Sequence, residues 1–418
     1  MTVERTAPAR PAYRDLNVLS WLTAYTASVT GDLVYFLSLT WAATQLAGPS
    51  QAGLVIAAGA LPRAVLLLFG GVVADRFGPR PVAIVSDATR CVIIFVMASV
   101  ALVAPLHIWQ LAIVAAVFGT VDALFMPAVG AFPPRIAKSG ELVRIQGMRL
   151  LSIRLSNAVG PVLAGGVLAA FGTGGGFVTS GVLFAASLLL LFTVRVTARP
   201  DSAEHTANGR HGLRDGLRYI RGHKALMPLI AVVGLSEMCF SGPVGAGLVL
   251  LADERGWSTS GMGWIASAFS IGATGASLLL TVGATIPRAG QTIGLSLLVT
   301  AAATAALGNA GTLVAAIVFS GLVGVASGVT MAVTGALVQT VVDPDYLGRV
   351  TSVTTLFTLG LSPVLFPAVG FIVDLWGSAV FFTGCGGICL LAAIVALTAR
   401  AVRDARLSSP AASAQSVT

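Results

Sequence analysis

The sequence predicts an all-α membrane protein with about twelve transmembrane helices. Three observations lead to this fold class: the composition, the length of the apolar runs and the placement of the basic residues. The chain of 418 residues is 56% hydrophobic and only 10% charged, and its mean hydropathy is +0.90. A water-soluble fold carries about 25% charged residues, so most of the surface of this protein must face lipid.

Apolar runs of membrane-spanning length follow one another along the chain. A helix needs roughly 20 apolar residues to cross a hydrocarbon core about 30 Å thick. Because lipid offers no partner to a free backbone polar group, and because the runs lack the alternation of barrel strands, each run must be helical. The predicted spans are 16–46, 51–73, 81–104, 109–134, 146–171, 176–195, 225–251, 260–283, 290–308, 311–338, 352–374 and 378–399.

The basic residues indicate the topology. Of those that fall between spans, only Arg255 lies in a loop assigned to the outside, and loops rich in Lys and Arg stay in the cytoplasm. We therefore expect a multi-pass protein of the inner (plasma) membrane with both termini cytoplasmic. The net charge of +8 does not indicate nucleic acid as a partner, because the basic residues do not form one face with interleaved aromatic side chains.

An internal repeat divides the chain into halves. Several features recur at one offset of 205 residues, which indicates a duplication. The recurring positions are Asp32 with Glu237, Gly130-Ala131 with Gly335-Ala336, Arg144 with Arg349, Gly165 with Gly370, and Gly172 with Gly377. We expect two pseudo-symmetric six-helix bundles at 1–195 and 225–399, a cytoplasmic linker at 196–224 and a cytoplasmic tail at 400–418.

The loop between the second and third spans carries the most specific motif, Gly71-Val72-Val73-Ala74-Asp75-Arg76-Phe77-Gly78-Pro79-Arg80. Gly71 allows neighbouring helices to approach closely, Gly78 permits a tight turn, and Asp75 can accept hydrogen bonds from a facing helix N-terminus. The motif resembles the signature loop of the major facilitator superfamily, Gly-x-x-x-Asp-Arg-x-Gly-Arg-Arg/Lys, which works as a gating latch. Pro79 stands where that family often has a basic residue. The alternative is an ordinary basic cytoplasmic loop with a turn glycine.

Further segments resemble one branch of that superfamily, the drug:proton antiporters that include macrolide-efflux proteins and siderophore exporters. These segments are Gly31-Asp32, Leu61-Pro62-Arg63, Ser86-Asp87-Ala88-Thr89-Arg90, Met126-Pro127-Ala128, and Gln339 with Pro344 and Gly348-Arg349. They extend over nearly the whole chain. Two six-helix halves with a binding site between them near the midplane are the arrangement of many secondary transporters.

The fifth span resembles the antiporter motif Gly-x8-Gly-x3-Gly-Pro-x2-Gly-Gly, which in that family goes with export. The matching positions are Gly147, Gly160, Pro161 and Gly165, with Ser156 and Ala164 in place of two glycines. Small residues on one stripe allow close helix crossing, and Pro161 bends the helix where neighbours can satisfy the freed carbonyl. The alternative is ordinary packing through small residues.

Three carboxylates fall inside predicted spans: Asp32, Asp122 and Glu237. A charge at the centre of a spanning helix costs on the order of 2.5–3.5 kcal/mol on insertion scales, and such residues are usually functional. Since Asp32 and Glu237 occupy equivalent places in the two halves, they are the best pair for proton coupling or for holding a cationic substrate. The alternative is a purely structural pairing with Arg63 or Arg154. Asp87 and Arg90, three residues apart, share one helical face near the signature loop and are interpreted as gating support.

The sequence predicts a transporter and not an enzyme. It contains no Gly-x4-Gly-Lys-Ser/Thr nucleotide loop, no His-Glu-x2-His and no Cys/His cluster with metal spacing. We expect no cofactor and no metal, and the predicted partners are a small-molecule substrate, protons and the lipid bilayer, with the chain acting as a monomer. The main hypothesis is proton-coupled export of a small amphipathic compound. Two rivals are an uptake symporter and a non-transporting membrane scaffold or lipid translocase.

Overall fold

The structure is a computed structural model that describes residues 12–137, 141–196, 218–220, 222–223, 226–283 and 288–403. All secondary structure in these ranges is helical, as predicted. The helices are α1 (Leu16–Phe77), α2 (Pro79–Val103), α3 (Ile108–Gly130), α4 (Pro133–Ile136), α5 (Leu142–Thr193), α6 (Leu226–Gly242), α7 (Leu248–Glu254), α8 (Thr259–Gly283), α9 (Ala289–Gly308), α10 (Leu313–Val341), α11 (Pro344–Thr398) and α12 (Arg400–Arg403). Most of the predicted linker and the tail beyond Arg403 lie outside the described residues.

The long helices account for the predicted spans. Within the described residues, eight helices are long and apolar enough to cross a membrane, and Leu226–Met238 is a shorter apolar helix. Three of the eight, Leu16–Leu67, Leu142–Thr193 and Pro363–Thr398, each contain two predicted spans or most of them. The chain is therefore an all-helical, multi-pass membrane protein.

Glycine residues break the three longest helices into two parts each. Gly48, Gly172 and Gly377 have φ values of 80°, 64° and 80°, with ψ close to 180°. This backbone region is open essentially only to glycine, so the chain can leave one helix and enter the next without a longer loop. Gly172 and Gly377 are related by the offset of 205 residues, so the repeat appears as the same backbone break in both halves.

A π-helical segment, Pro243–Gly247, joins α6 to α7. Glycine and proline at this point disfavour regular α-helix. A single π-helical turn is one conformation in which the chain can continue as a helix through such residues.

The chain divides into two compact units, unit 1 (residues 1–42 and 58–203) and unit 2 (residues 43–57 and 204–418). In unit 1, Trp21, Phe125 and Phe132 are fully buried in one apolar cluster. In unit 2, Ile293 and Ala393 lie in another. Each unit thus has its own core.

Small residues bring helices together inside each unit. A Cβ atom added at Gly119 of α3 would overlap the carbonyl oxygen of Gly59 in α1. At the position 205 residues further on, a Cβ atom added at Gly324 of α10 would overlap the carbonyl oxygen of Phe269 in α8. Both units therefore use a glycine at the same repeat position for a close crossing, as is common where helices pack in lipid.

Candidate functional site

A fully buried arginine in the middle of α2 organises the candidate site in unit 1. Arg90 Nη1 donates to Asp32 Oδ1 at 2.9 Å and lies 3.5 Å from Asp122 Oδ1. Its Nη2 donates to Asp87 Oδ1 and, at 3.0 Å, to Ser28 Oγ. One guanidinium group therefore serves three carboxylates.

Three helices supply the carboxylates. Asp32 comes from α1 and Asp122 from α3. Asp87 precedes Arg90 by one turn of α2, where side chains three residues apart share a face. The site thus ties α1, α2 and α3 together through charged groups.

Asp87 is the most enclosed of the three carboxylates. Its side chain is fully buried, and its second oxygen accepts a hydrogen bond from Ser187 Oγ of α5 at 2.5 Å. Since Arg90 binds the first oxygen, both oxygens of Asp87 have partners. A carboxylate held in this way acts as a fixed anchor for the arginine.

Aromatic rings surround the guanidinium group. Arg90 Cζ lies 3.8 Å from the ring centroid of Phe125, 4.8 Å from that of Phe184 and 5.8 Å from that of Phe118. Tyr35 stacks on Phe118 with 4.0 Å between centroids. Rings at these distances attract the cation, and their low polarity strengthens the charged hydrogen bonds.

The site has an open side and a closed side. The side chain of Asp32 is 27% exposed and that of Arg63 is 45% exposed, whereas those of Asp87 and Arg90 are fully buried. Arg63 Nε lies 3.0 Å from Asp122 Oδ2, which places a second cation at the exposed side. Of the three carboxylates, Asp32 is therefore the least enclosed by protein.

We call Arg63, Arg90, Asp32, Asp87 and Asp122 the Arg90 cluster. With all groups ionised it holds two positive and three negative charges, a net charge of −1. An uncompensated charge is costly away from water. The arrangement is therefore suited to take up one proton or one positively charged group.

The structure brings together residues that the sequence analysis treated separately. Asp32 and Asp122 were candidates for coupling, whereas Asp87 and Arg90 were assigned to gating; all four now lie in one cluster. The structural alternative named Arg63 as a partner, and Arg63 does contact Asp122. The contact of Arg90 with Asp32 was not predicted, because residues 58 positions apart in sequence carry no signal of proximity.

Ser28, Ser187 and the three phenylalanines were also missed. Serine and phenylalanine are common throughout this chain, and only their position around Arg90 makes them part of the site.

Glu237 lies on α6 in unit 2 and is partly buried. It makes no hydrogen bond or ion pair with any residue whose side chain the structure describes. Its repeat counterpart Asp32 has Arg90 as a partner, so the two positions differ in their electrostatic surroundings.

The predicted signature loop is a tight turn between α1 and α2. Gly78, with φ 85° and ψ 145°, separates Phe77 at the end of α1 from Pro79 at the start of α2. Arg80 Nη2 donates to the carbonyl oxygen of Phe192 near the end of α5 at 2.8 Å. Gly71, Asp75 and Arg76 lie in the last turns of α1; the side chain of Asp75 is not among those described, so its capping role stays a prediction.

The antiporter-like motif of the fifth span packs against the part of α1 that carries Asp32. A Cβ atom at Gly160 would lie 2.9 Å from Leu33 Cδ1, and Ser156 Oγ accepts from Thr30 Oγ1 at 3.1 Å. Pro161 and Gly165 are also buried. Gly147 differs, because a Cβ atom there would meet only open space.

Comparison with known proteins places the chain in a family. The family model described as Major Facilitator Superfamily matches residues 18–250 and 243–417, which is nearly the whole chain. The chain is 26% identical to YfiS, an uncharacterized MFS-type transporter of Bacillus subtilis (strain 168), over 95% of this chain and 96% of that protein. It is 25% identical to the multidrug efflux pump Tap of Mycobacterium tuberculosis (strain ATCC 25618 / H37Rv), over 93% of this chain and 94% of Tap.

Solved structures show the same fold. A POT family transporter in complex with 5-aminolevulinic acid superposes with a TM-score of 0.71 at 11% identity, covering 91% of this chain and 95% of that one. A bacterial homologue of the human lysosomal transporter Spinster gives 0.69 at 13% identity, covering 96% and 100%. The helical fold and the family match over both halves lead to one conclusion: this chain belongs to the major facilitator superfamily and is a secondary transporter, not an enzyme.

Proposed function

We propose that the chain exports a small amphipathic compound, such as a drug, a macrolide or a siderophore-like molecule, in exchange for protons by alternating access. The observation that carries the proposal is the net charge of −1 on the Arg90 cluster within a membrane-spanning unit. The similarity to the multidrug efflux pump Tap supports the direction of transport.

Asp32 is the proposed site of proton exchange. It is the most exposed carboxylate of the cluster, and one hydrogen bond from Arg90 Nη1 holds it. A proton on Asp32 would neutralise the cluster and weaken that contact, while Asp87 would keep Arg90 in place through its own pairing. A cationic or strongly polar group of the substrate could compete for the same negative charge, which would couple the two binding events.

Movement of α1 would follow from this exchange. The turn of α1 that carries Asp32 also packs on Gly160 and Ser156 of α5. Because this contact is close, a shift of α1 that accompanies protonation would have to move α5 or repack against it. Asp122 and Glu237 are proposed as secondary members of the coupling or substrate pathway.

The first test is transport in everted membrane vesicles. A susceptibility screen of cells with and without the gene identifies a compound to follow. Acidification of the vesicle lumen should drive accumulation of that compound if the chain is an antiporter. Accumulation only when the outside is acidified would instead indicate an uptake symporter, and disturbed lipid distribution with unchanged drug tolerance in a deletion strain would indicate a lipid translocase.

The second test is Asp32→Asn. The substitution makes the cluster charge-balanced without a proton, so accumulation driven by the pH gradient should be lost. Exchange of labelled for unlabelled substrate without a gradient should persist, since no net proton movement is needed. Glu141→Gln is the matched control, because it also removes one carboxylate charge but at the start of α5, outside the Arg90 cluster, where Glu141 pairs with the exposed Arg144. Unchanged gradient-driven transport by Asp32→Asn would remove Asp32 from the coupling role.

A further inference from the structure

Unit 2 contains a cavity of about 400 Å³. The eleven lining residues that the structure describes are all apolar. They come from Met238 of α6 and from two stripes of α11, one between Leu365 and Trp376 and the other between Val380 and Ile388. Among these described residues, no charged, hydroxyl or amide side chain is available to hold a head group, an ion or an ordered water.

The cavity is elongated along the helices. Lining positions on each stripe recur every three or four residues, which is the spacing of one helical face. Leu365 and Ile388 line the same cavity, so the two parts of α11 fold back on each other at Gly377. At 1.5 Å per residue, the stripe from Leu365 to Trp376 extends about 16 Å, which is about half of a hydrocarbon core roughly 30 Å thick.

The cavity is open to the surface of unit 2. Trp376 and Val380, on either side of Gly377, are 63% and 52% exposed, and Gly384 is exposed as well, whereas Val369 and Cys385 are buried. The end of the cavity at Trp376 lies beside polar groups, because the backbone N–H of Ser378 donates to Glu254 there at 2.6 Å. Tryptophan beside polar groups at a helix end is typical of the membrane–water interface.

The corresponding place in unit 1 is filled. At the offset of 205 residues, Leu365, Val369 and Cys385 correspond to Gly160, Ala164 and Ser180. In unit 1 Leu33 packs directly against Gly160, and Ser180 Oγ donates to the carbonyl oxygen of Gly31 at 2.9 Å. The larger side chains at these positions of unit 2 disfavour an equally close approach of the helices, since small residues are what permits close approach.

We propose that this cavity binds one acyl chain of a bilayer phospholipid, with the head group at the Trp376 end. An apolar cavity does not hold water, and an empty one forfeits the dispersion contacts of its lining. A hydrocarbon chain from the surrounding bilayer restores those contacts, and one leaflet supplies a chain of matching length. The occupant needs no polar anchor inside the cavity, in agreement with the lining.

The test uses the full-length protein in liposomes that contain phosphatidylethanolamine with a photoactivatable diazirine on one acyl chain. After illumination, mass spectrometry of the peptides should show cross-links concentrated on Met238 and on the two stripes of α11. Gly384→Phe should lower the yield on these peptides by about tenfold, the factor that corresponds to about 1.4 kcal/mol of binding free energy. Gly384 lines the cavity, and a Cβ atom there meets nothing within 4 Å, so the added ring has space to enter.

Gly387→Phe is the matched control. Gly387 lies three residues further along the same helix and also has open space around its Cβ position, but it does not line the cavity. Its cross-linking pattern should equal that of the unaltered protein. Ala368→Trp, on the opposite stripe, should lower the yield as Gly384→Phe does, and it replaces that variant if Gly384→Phe does not fold.

Two outcomes would overturn the proposal. Cross-links spread evenly over the exposed apolar faces, with no effect of the filling variants, would mean that the cavity binds no lipid. The second outcome is a loss of the cavity cross-links when an exported compound is added at saturating concentration, while cross-links elsewhere on the protein persist. It would assign the cavity to the transported molecule and not to a lipid.

Discussion

At the scale of single residues, one arginine determines the character of the site. Arg90 is fully buried and has three carboxylates, a serine and three aromatic rings around it. Removing one partner of a buried charged network leaves the other partners uncompensated, which costs about 3–5 kcal/mol. Arg90 therefore compensates the charge of three neighbouring carboxylates, and its loss should destabilise unit 1.

Arg90→Ala should destabilise the protein strongly. Three aspartates would then share the site with Arg63 alone, and we expect a loss of about 3–5 kcal/mol, measured as a lower apparent melting temperature of the purified protein in detergent. Arg144→Ala is the control, because its ion pair with Glu141 is exposed and exposed pairs contribute about 0–1 kcal/mol. Equal melting temperatures for the two variants would contradict the role assigned to Arg90.

At the scale of elements, glycine breaks decide where the longest helices end. Sequence alone located the ends of these spans to within a few residues, because the apolar runs pause near Gly48, Gly172 and Gly377. It could not show that one residue suffices for each break, since that depends on the backbone angles. The structure also distinguishes two glycines of the antiporter-like motif that the sequence treats alike: Gly160 packs closely against Leu33, whereas a Cβ atom at Gly147 would meet nothing within 4 Å.

Gly377→Ala should lower stability by about 1–3 kcal/mol, the cost of holding a non-glycine residue in this backbone region. The same change at Gly172 should have a similar effect, because its φ of 64° belongs to the same region. Gly166→Ala is the control: it lies inside α5 with open space around its Cβ position, and alanine stabilises a helix relative to glycine. Thermal unfolding of the purified proteins measures the change in stability caused by each of the three substitutions. An unchanged melting temperature for Gly377→Ala would show that the helix break tolerates a side chain.

At the scale of the whole molecule, duplication relates two units whose described sites differ in chemistry. The offset of 205 residues recurs at the backbone breaks of Gly172 and Gly377 and at the helix crossings of Gly119 and Gly324. The charged cluster belongs to unit 1 and the apolar cavity to unit 2. We propose that the halves kept one helical framework while each acquired its own binding chemistry.

The topology is a prediction for the whole molecule. In a variant without the four native cysteines, Asn309→Cys should react with a membrane-impermeant thiol reagent added to intact cells, because residue 309 precedes α10 on the side assigned to the outside. Ser202→Cys, in the predicted cytoplasmic linker, should react only after the membrane is opened. Labelling of Ser202→Cys in intact cells would reverse the orientation and remove the cytoplasmic assignment of the linker.

The sequence by itself determined the membrane environment, the helical class, the number of spans and the family, because these follow from the amount and order of apolar residues and from motifs that are local in the chain. It also pointed to Asp32, Asp122, Asp87 and Arg90 as charged residues that need partners in lipid. Only the tertiary structure decided which partners they have, because the contacts of Arg90 with Asp32 and Asp122 join separate helices. The same is true of the cavity in unit 2, since an apolar gap arises from the distance between packed helices and leaves no pattern in composition or periodicity.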